Sequence, residues 1–219
     1  MARSQWYEAI VLKTHDVGEA DRFCILFTRE CGRLAARARA VRKLWSRMGA
    51  QVLPLHRVRV ELTELSSGAF LVTGAVRCGS EWHVPTFKAF ALAEQGIELL
   101  LALLHDGEPL PELFALTEEF LICCREADQR ILLPYTIKLL HLLGHFPAEE
   151  SEWLQELSDD EQRFVRECCR YSSSLRGIRL PTTSAKRLQC LCAALLADQL
   201  SSPLRASAVA ATLEVHRSE

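Results

Sequence analysis

EAIVLKTHDVGEADRFCILFTRECGRLAARARAV, from Glu8 to Val41, contains three apolar-rich segments separated by two turns. The first, WYEAIVLKT when traced back to Trp6, is rich in β-branched and aromatic residues and stops at polar His15-Asp16, as a strand does. VGEADR follows as a turn built on Gly18. RFCILFTRE is a second strand. Cys31-Gly32 makes a tight connection in which Gly32 can take the positive φ that a hairpin turn needs. The third segment, RLAARARAV, is contested. Its alanines and arginines favour helix by propensity, whereas its alternation places Arg33, Ala35, Arg37 and Arg39 on one face and Leu34, Ala36, Ala38 and Ala40 on the other. We follow the alternation and read a strand with a basic outer face over an interior of small residues. VRVELTEL and AFLVTGAVR then form a hairpin around Ser66-Ser67-Gly68. Five strands of similar length fit a small closed or nearly closed barrel.

From about Pro85 the pattern changes to helical spacing. TFKAFALAEQGIELLLALLHDG stops at Gly107-Glu108-Pro109, and ELFALTEEFLICCREA opens behind Pro111. PYTIKLLHLLGHFP ends at Gly144 and Pro147. SDDEQRFVRECCRYSSSL starts with a capping box, Ser158 followed three residues later by Glu161. TTSAKRLQCLCAALLADQL and PLRASAVAATL complete a helical bundle. The expected class is α+β, with a barrel domain over residues 1–80 and a helical domain over residues 85–219.

Bulk properties narrow the function. The 219 residues are 49% hydrophobic and carry a formal net charge of −2, so a buried core is expected and global disorder is not. No apolar run approaches the roughly 20 residues of a membrane-spanning helix. Glu8 breaks the only apolar run near the N-terminus, and no cleavage site follows it, so a cytoplasmic protein is expected. The nine cysteines form no C-x-x-C, which argues against a disulfide framework or a standard zinc site and for packing roles. Charge is uneven: residues 1–80 have a net +6 and the rest a net −8. That asymmetry suggests two modules with different partners, the first facing nucleic acid.

The positive charge concentrates in RLAARARAVRKLWSR, Arg33 to Arg47, which has six basic residues and no acidic one. A phosphate backbone is a line of negative charge, and neutralising it releases counterions. Arg33, Arg37, Arg39, Arg42, Lys43 and Arg47 are the candidate track, with Arg57 and Arg59 assigned to a neighbouring strand. Arginine also grips phosphate bidentately and stacks on bases. Trp45 sits inside the run, either as a stacking platform worth about 1–3 kcal/mol per base or as an interior anchor. The competing reading is a solvated basic face. Other constellations are weaker. His141 and His145 share the spacing of a helical metal pair but have no third ligand, and polar residues at a helix end explain them. Asp159, Asp160 and Glu161 suit the dipole of a helix start. Cys31 has no histidine placed to activate it.

The segment EAIVLKTHDVGEADRFCILFTRECGRLAARARAVRK, Glu8 to Lys43, resembles the RecO family of bacterial recombination mediators. The matching pieces are the strand EAIVLKT, the turn GEADR, the phrase LFTRECGRL and the basic run ending RKLWSR. LLHLLGHFP and LLADQLSSPLRASAVAATL resemble its helical part. The resemblance implies an N-terminal OB-fold barrel followed by a helical domain. It also implies binding of single- and double-stranded DNA, annealing of complementary strands, and help in loading a recombinase on strands coated by single-strand binding protein (SSB). The implied partners are RecR and the acidic C-terminal tail of SSB, with no covalent catalysis. Many members carry a four-cysteine zinc module after the helix that ends here at Gly144-His145-Phe146-Pro147. This chain runs directly into AEESEWLQELSDDEQ, so no zinc is expected. Where members that dock the SSB tail have arginines before an aromatic-acidic pair, this chain has Leu133-Pro134-Tyr135-Thr136. Tyr135 keeps the aromatic, and the nearest arginine is Arg130. Arg130 and Lys138, beside the apolar positions Ile137, Leu139 and Leu140, complete the candidate partner site.

Two functions compete. One is a DNA-binding, strand-annealing mediator. The other is an adaptor whose basic barrel meets an acidic protein partner. No constellation supports a hydrolytic enzyme.

Overall fold

The computed structural model describes residues 4–79, 86–146, 152–170, 174–177 and 180–197. The expected helix PLRASAVAATL lies outside them. The chain divides into two compact units, residues 1–83 with 104–118 and residues 84–103 with 119–219.

The first unit is built on β1 (Ser4–Val17), β2 (Asp21–Thr28), β3 (Gly32–Ala38), β4 (Arg57–Glu64) and β5 (Phe70–Arg77). They close into a barrel in the order β1-β2-β3-β5-β4. Every pairing is antiparallel except β3 with β5, which is parallel over Ala36–Ala38. This is a five-stranded OB-type barrel. β1 can pair with both β2 and β4 because it is long and bulged. Val11 pairs with Leu26 and Lys13 with Ile25, which leaves Leu12 as the extra residue, and a bulge of this kind bends a strand around a barrel.

The interior explains why β3 is a strand despite its alanines. Leu34, Ala36 and Ala38 face a core filled by Val11, Leu26, Val58, Val60, Leu62 and Val72. A barrel this narrow has room for small side chains where strands crowd, so packing overrides helix propensity. The strand is shorter than its alternation suggests. It ends at Ala38, because Ala40 takes a φ of 54° and turns the chain. Val41 and Val52, on the connection to β4, are buried against the barrel core.

Residues 104–118 belong to the same unit. The N-terminal half of β3 does not reach β5, and the segment around Asp106 pairs with it instead. Arg33 forms a parallel bridge with Asp106, and Gly107 donates its N–H to the Arg33 carbonyl at 2.9 Å. Gly32, at φ +67°, lies directly against the Glu108 backbone.

The helices are α1 (Phe87–Leu103), α2 (Pro111–Cys124), α3 (Leu132–Leu142), α4 (Glu152–Gln155), α5 (Asp159–Cys169) and α6 (Thr182–Ala197), with a 3-10 turn at Gln129–Ile131 before α3. In the second unit Leu133–Leu140 of α3 are buried on every side, the signature of a central helix. Leu133 and Ile137 meet Phe164, Val165 and Cys168 of α5 and Leu188 and Cys192 of α6. Tyr135 stacks on Phe120 with ring centroids 4.0 Å apart. Gly96 of α1 is the small residue that admits the Phe120 ring. The capping box at Ser158 and Glu161 is present, so the Asp159–Glu161 acids belong to a helix start. Gly144, at φ +72°, ends α3.

Candidate nucleic-acid interface

The cross-strand register builds one outward row across four strands. His15 of β1 pairs with Phe23 of β2, Phe23 with Arg37 of β3, and Arg37 with Leu71 of β5. The next row joins Lys13, Ile25 and Ala35. Along β2 the outward positions pass from covered to open. Phe27 is buried and pairs with Phe114 at 5.5 Å between centroids, Ile25 is half-buried, and Phe23 is 38% exposed. The open end is thus an aromatic ring between two basic side chains on the strand 2–3 face with which OB folds take oligonucleotides. Sequence reasoning missed Phe23, His15 and Lys13. RFCILFT is apolar at both phases, so alternation does not reveal which phenylalanine is left uncovered.

The β3–β4 connection rises from the same end. Ala40, in its left-handed conformation, donates its N–H to Asp21 Oδ1 at 2.8 Å. Arg42 donates its backbone N–H to the Ala20 carbonyl at 2.9 Å, and its guanidinium to the Gly18 carbonyl at 2.9 Å and to Asp16 at 3.2 Å. On the return limb the Gly49 carbonyl accepts from Arg22 Nη1 at 3.1 Å. Between these anchors Lys43, Leu44, Trp45 and Arg47 are exposed, and the Lys43 ammonium sits over the Trp45 ring, 5.7 Å from its centroid. Trp45 is therefore a surface residue and not an interior anchor.

The structure divides the basic candidates. Arg37, Arg39, Arg42, Lys43 and Arg47 cluster with Trp45 at the open end of the barrel. Among the described residues Arg39, Lys43 and Arg47 have no ion pair, whereas Arg37 pairs with Asp21 at 2.7 Å. Arg33 is turned away from this cluster, bound to Asp106 at 2.5 Å. Arg57 is bound to Glu118 and, at 3.5 Å, to Glu8. Burial pushes the Glu118 carboxyl up, against the pull of Arg57 and Arg29. The assignment of Arg57 and Arg59 to a strand beside the basic one is corrected. The parallel pairing inserts β5 between β3 and β4, so Arg59 instead lies over Trp6, its guanidinium carbon 5.8 Å from the ring centroid.

The partner site expected on the helical domain does not form a surface. Tyr135 is fully buried, and its hydroxyl donates to the Gly96 carbonyl at 3.5 Å. Lys138 is buried, with Nζ donating to the Arg170 carbonyl at 2.8 Å; burial lowers its pKa. Both face inward because α3 is surrounded. Arg130 is exposed but held bidentately by Asp128, the cap of its own turn, at 2.8 Å.

Among the described residues no three His, Cys, Asp or Glu side chains converge. Burial pushes the Cys24 thiol up to about 11 and the Cys192 thiol up to about 12, as expected of packed side chains. No helix among the described residues is long and apolar enough to cross a membrane.

Residues 1–74 match the family model Recombination protein O N terminal, and residues 85–208 match Recombination protein O C terminal. The chain belongs to the RecO family. A protein of Myxococcus xanthus named DNA repair protein RecO is 34% identical over 147 residues, which is 66% of this chain and 60% of that protein. Proteins of the same name from a Nocardioides strain and from Desulfitobacterium hafniense are 49% and 30% identical over 65% and 78% of this chain and 61% of their own lengths. The matches thus span about three fifths of these relatives. The barrel with its helical partner is the architecture that the sequence resemblance implied.

Proposed function

We propose that this RecO-family chain is a DNA-binding recombination mediator in DNA repair. It binds single-stranded DNA along the outward face of β1, β2 and β3 and the basic connection beyond it. There it anneals complementary strands, binds the resulting duplex, and assists recombinase loading on SSB-coated strands. It does no covalent chemistry, works in the cytoplasm, and has RecR and the SSB tail as protein partners. The buried Tyr135 and Lys138 direct any SSB contact away from those two residues.

The observation that carries this reading is the row His15–Phe23–Arg37 leading into the exposed Arg39, Lys43, Trp45 and Arg47. From Cys31 to Val60 the chain has eight basic residues and no acidic one. Exposed cations supply sequence-independent affinity through counterion release, and an aromatic ring accepts any base. The test is a titration of a labelled single-stranded oligonucleotide across salt concentrations, with the wild type and with Arg37 and Arg39 both changed to Glu. A steep salt dependence that flattens in the variant supports the reading. An affinity unchanged by the reversal, with the fold intact, refutes it and leaves the basic face to an acidic protein partner.

A further inference from the structure

Leu44 is fully exposed and Trp45 is 78% exposed, side by side at the tip of the β3–β4 connection. Large apolar side chains held this far into water gain free energy only when something covers them. The tip is not a loose excursion. Both of its limbs are anchored, through Ala40 and Arg42 on one side and through Gly49 and buried Val52 on the other. The limbs run close together, since a Cβ at Gly49 would have no room beside the Val41 carbonyl. An anchored stem thus presents two apolar side chains flanked by Arg42, Lys43 and Arg47.

The flanking charge selects a polyanion as the occupant. The state of the indole ring narrows the choice further. Lys43 covers one face of Trp45, so one face is left. A ring with one free face can stack on one base, at the end of a stack, but cannot slot between two. The stem rises beside the Phe23–Arg37 row, because Asp21 holds both Arg37 and Ala40. A single strand lying over Phe23 and Arg37 therefore leads toward the tip.

Resting on the DNA-binding reading above, we infer that Leu44 and Trp45 form a cap for the terminal base pair at a junction between single- and double-stranded DNA. The strand runs over Phe23, the duplex begins at the tip, and the indole takes the otherwise unstacked face of the first base pair. The exposed lysine and arginines take phosphates on either side.

The experiment compares three oligonucleotides of equal strand length, one single-stranded, one blunt duplex and one duplex with a single-stranded overhang. Each is titrated at one salt concentration with the full chain, with L44A/W45A and with W45F. The inference expects the wild type to prefer the overhang by about tenfold over the single strand, the scale of one base–aromatic stack. W45F should keep most of that preference. L44A/W45A should lose it, lowering affinity for the overhang duplex more than affinity for the single strand and leaving the salt dependence unchanged. Because both side chains are exposed, melting temperatures should be unchanged, which separates loss of capping from loss of fold. Salt-dependent single-strand binding without an overhang preference, or a preference that survives L44A/W45A, overturns the cap and leaves the DNA-binding reading standing. Failure to bind any of the three removes both.

Discussion

Asp21 and Arg37 are joined at 2.7 Å through Nη2 and 2.8 Å through Nε, while the other carboxylate oxygen accepts the Ala40 N–H. One side chain at the start of β2 thus fixes both a cation of the binding face and the left-handed residue at which the chain leaves β3. A non-glycine residue at positive φ costs on the order of 1–3 kcal/mol unless its surroundings hold it, and Asp21 is what holds it.

That arrangement predicts a pH-dependent contribution. The Ala40 N–H and then Arg37 hold the Asp21 carboxyl below its ordinary value of 3.8. A carboxylate whose folded pKa is depressed contributes stability in full above the unfolded value and loses it as pH falls through the folded one. Asp21→Asn should therefore lower the melting temperature by a few degrees at pH 7, and the gap to wild type should close as pH drops below about 4. Thermal melts of both proteins at pH 7, 4 and 3 decide it. A gap that persists undiminished at pH 3 would mean that the charge of Asp21 is not what matters.

Phe23 should contribute stacking and not charge. Phe23→Ala is expected to weaken single-strand binding by about tenfold, within the 1–3 kcal/mol range of a base–aromatic contact, and to leave the slope of log affinity against log salt unchanged. Its exposure makes a folding defect small. If the slope falls with the affinity, the ring is positioning the arginines and not meeting a base.

Arg59 gives the opposite expectation. It lies on β4, which β5 separates from β3, and it pairs with Glu8, in the half of β1 away from Lys13 and His15. Arg59→Glu should change single-strand affinity by no more than about twofold, the effect of a charge screened over distance. A loss as large as that from reversing Arg37 and Arg39 would show that DNA wraps the barrel.

The difference between these two arginine groups marks what sequence can and cannot show. Alternation in RLAARARA identifies a strand with a basic outer face because period two is a local property. It cannot show that the strand stops at Ala38, since that depends on Asp21 reaching Ala40. Nor can it show that β5 comes between β3 and β4, because strand order is set by a pairing between Ala36–Ala38 and Phe70–Val72. Arg33 and Arg57 are indistinguishable from free cations until Asp106 and Glu118, far along the chain, are found beside them. Tyr135 and Lys138 mislead for a related reason. A tyrosine and a lysine on an amphipathic-looking helix suggest a mixed surface, but burial on all sides of α3 is a tertiary fact. The capping box at Ser158 and the turns at Gly18, Gly32 and Gly68 are legible because each is completed within a few residues.

Two of those glycines should respond differently to the same change. Gly18 and Gly32 both have positive φ, but a Cβ at Gly18 meets nothing within 4 Å, whereas one at Gly32 would sit 1.9 Å from the Glu108 carbonyl oxygen. Gly18→Ala should cost about 1–2 kcal/mol of backbone strain. Gly32→Ala adds an overpacking cost of about 1–3 kcal/mol, because the obstacle is backbone and must move as a whole. Urea denaturation of the two variants measures the difference. Equal losses would mean that residues 104–118 do not pack on β3 in solution.

Gly96 tests the other unit by packing alone. It is helical, so alanine there should gain about 1 kcal/mol of propensity. Against that, the added methyl would lie 2.1 Å from Phe120 Cε1 and 2.4 Å from Cζ. The ring cannot step aside, because it is fully buried and stacked on Tyr135 at 4.0 Å. Overpacking should win, leaving Gly96→Ala destabilised by about 1–3 kcal/mol. Combining it with Phe120→Leu should cost less than the two single changes together, because the smaller side chain relieves the clash. Denaturation midpoints for the three variants test both statements. Additive losses would place Phe120 out of contact with Gly96, and with it the stack that keeps Tyr135 from the surface.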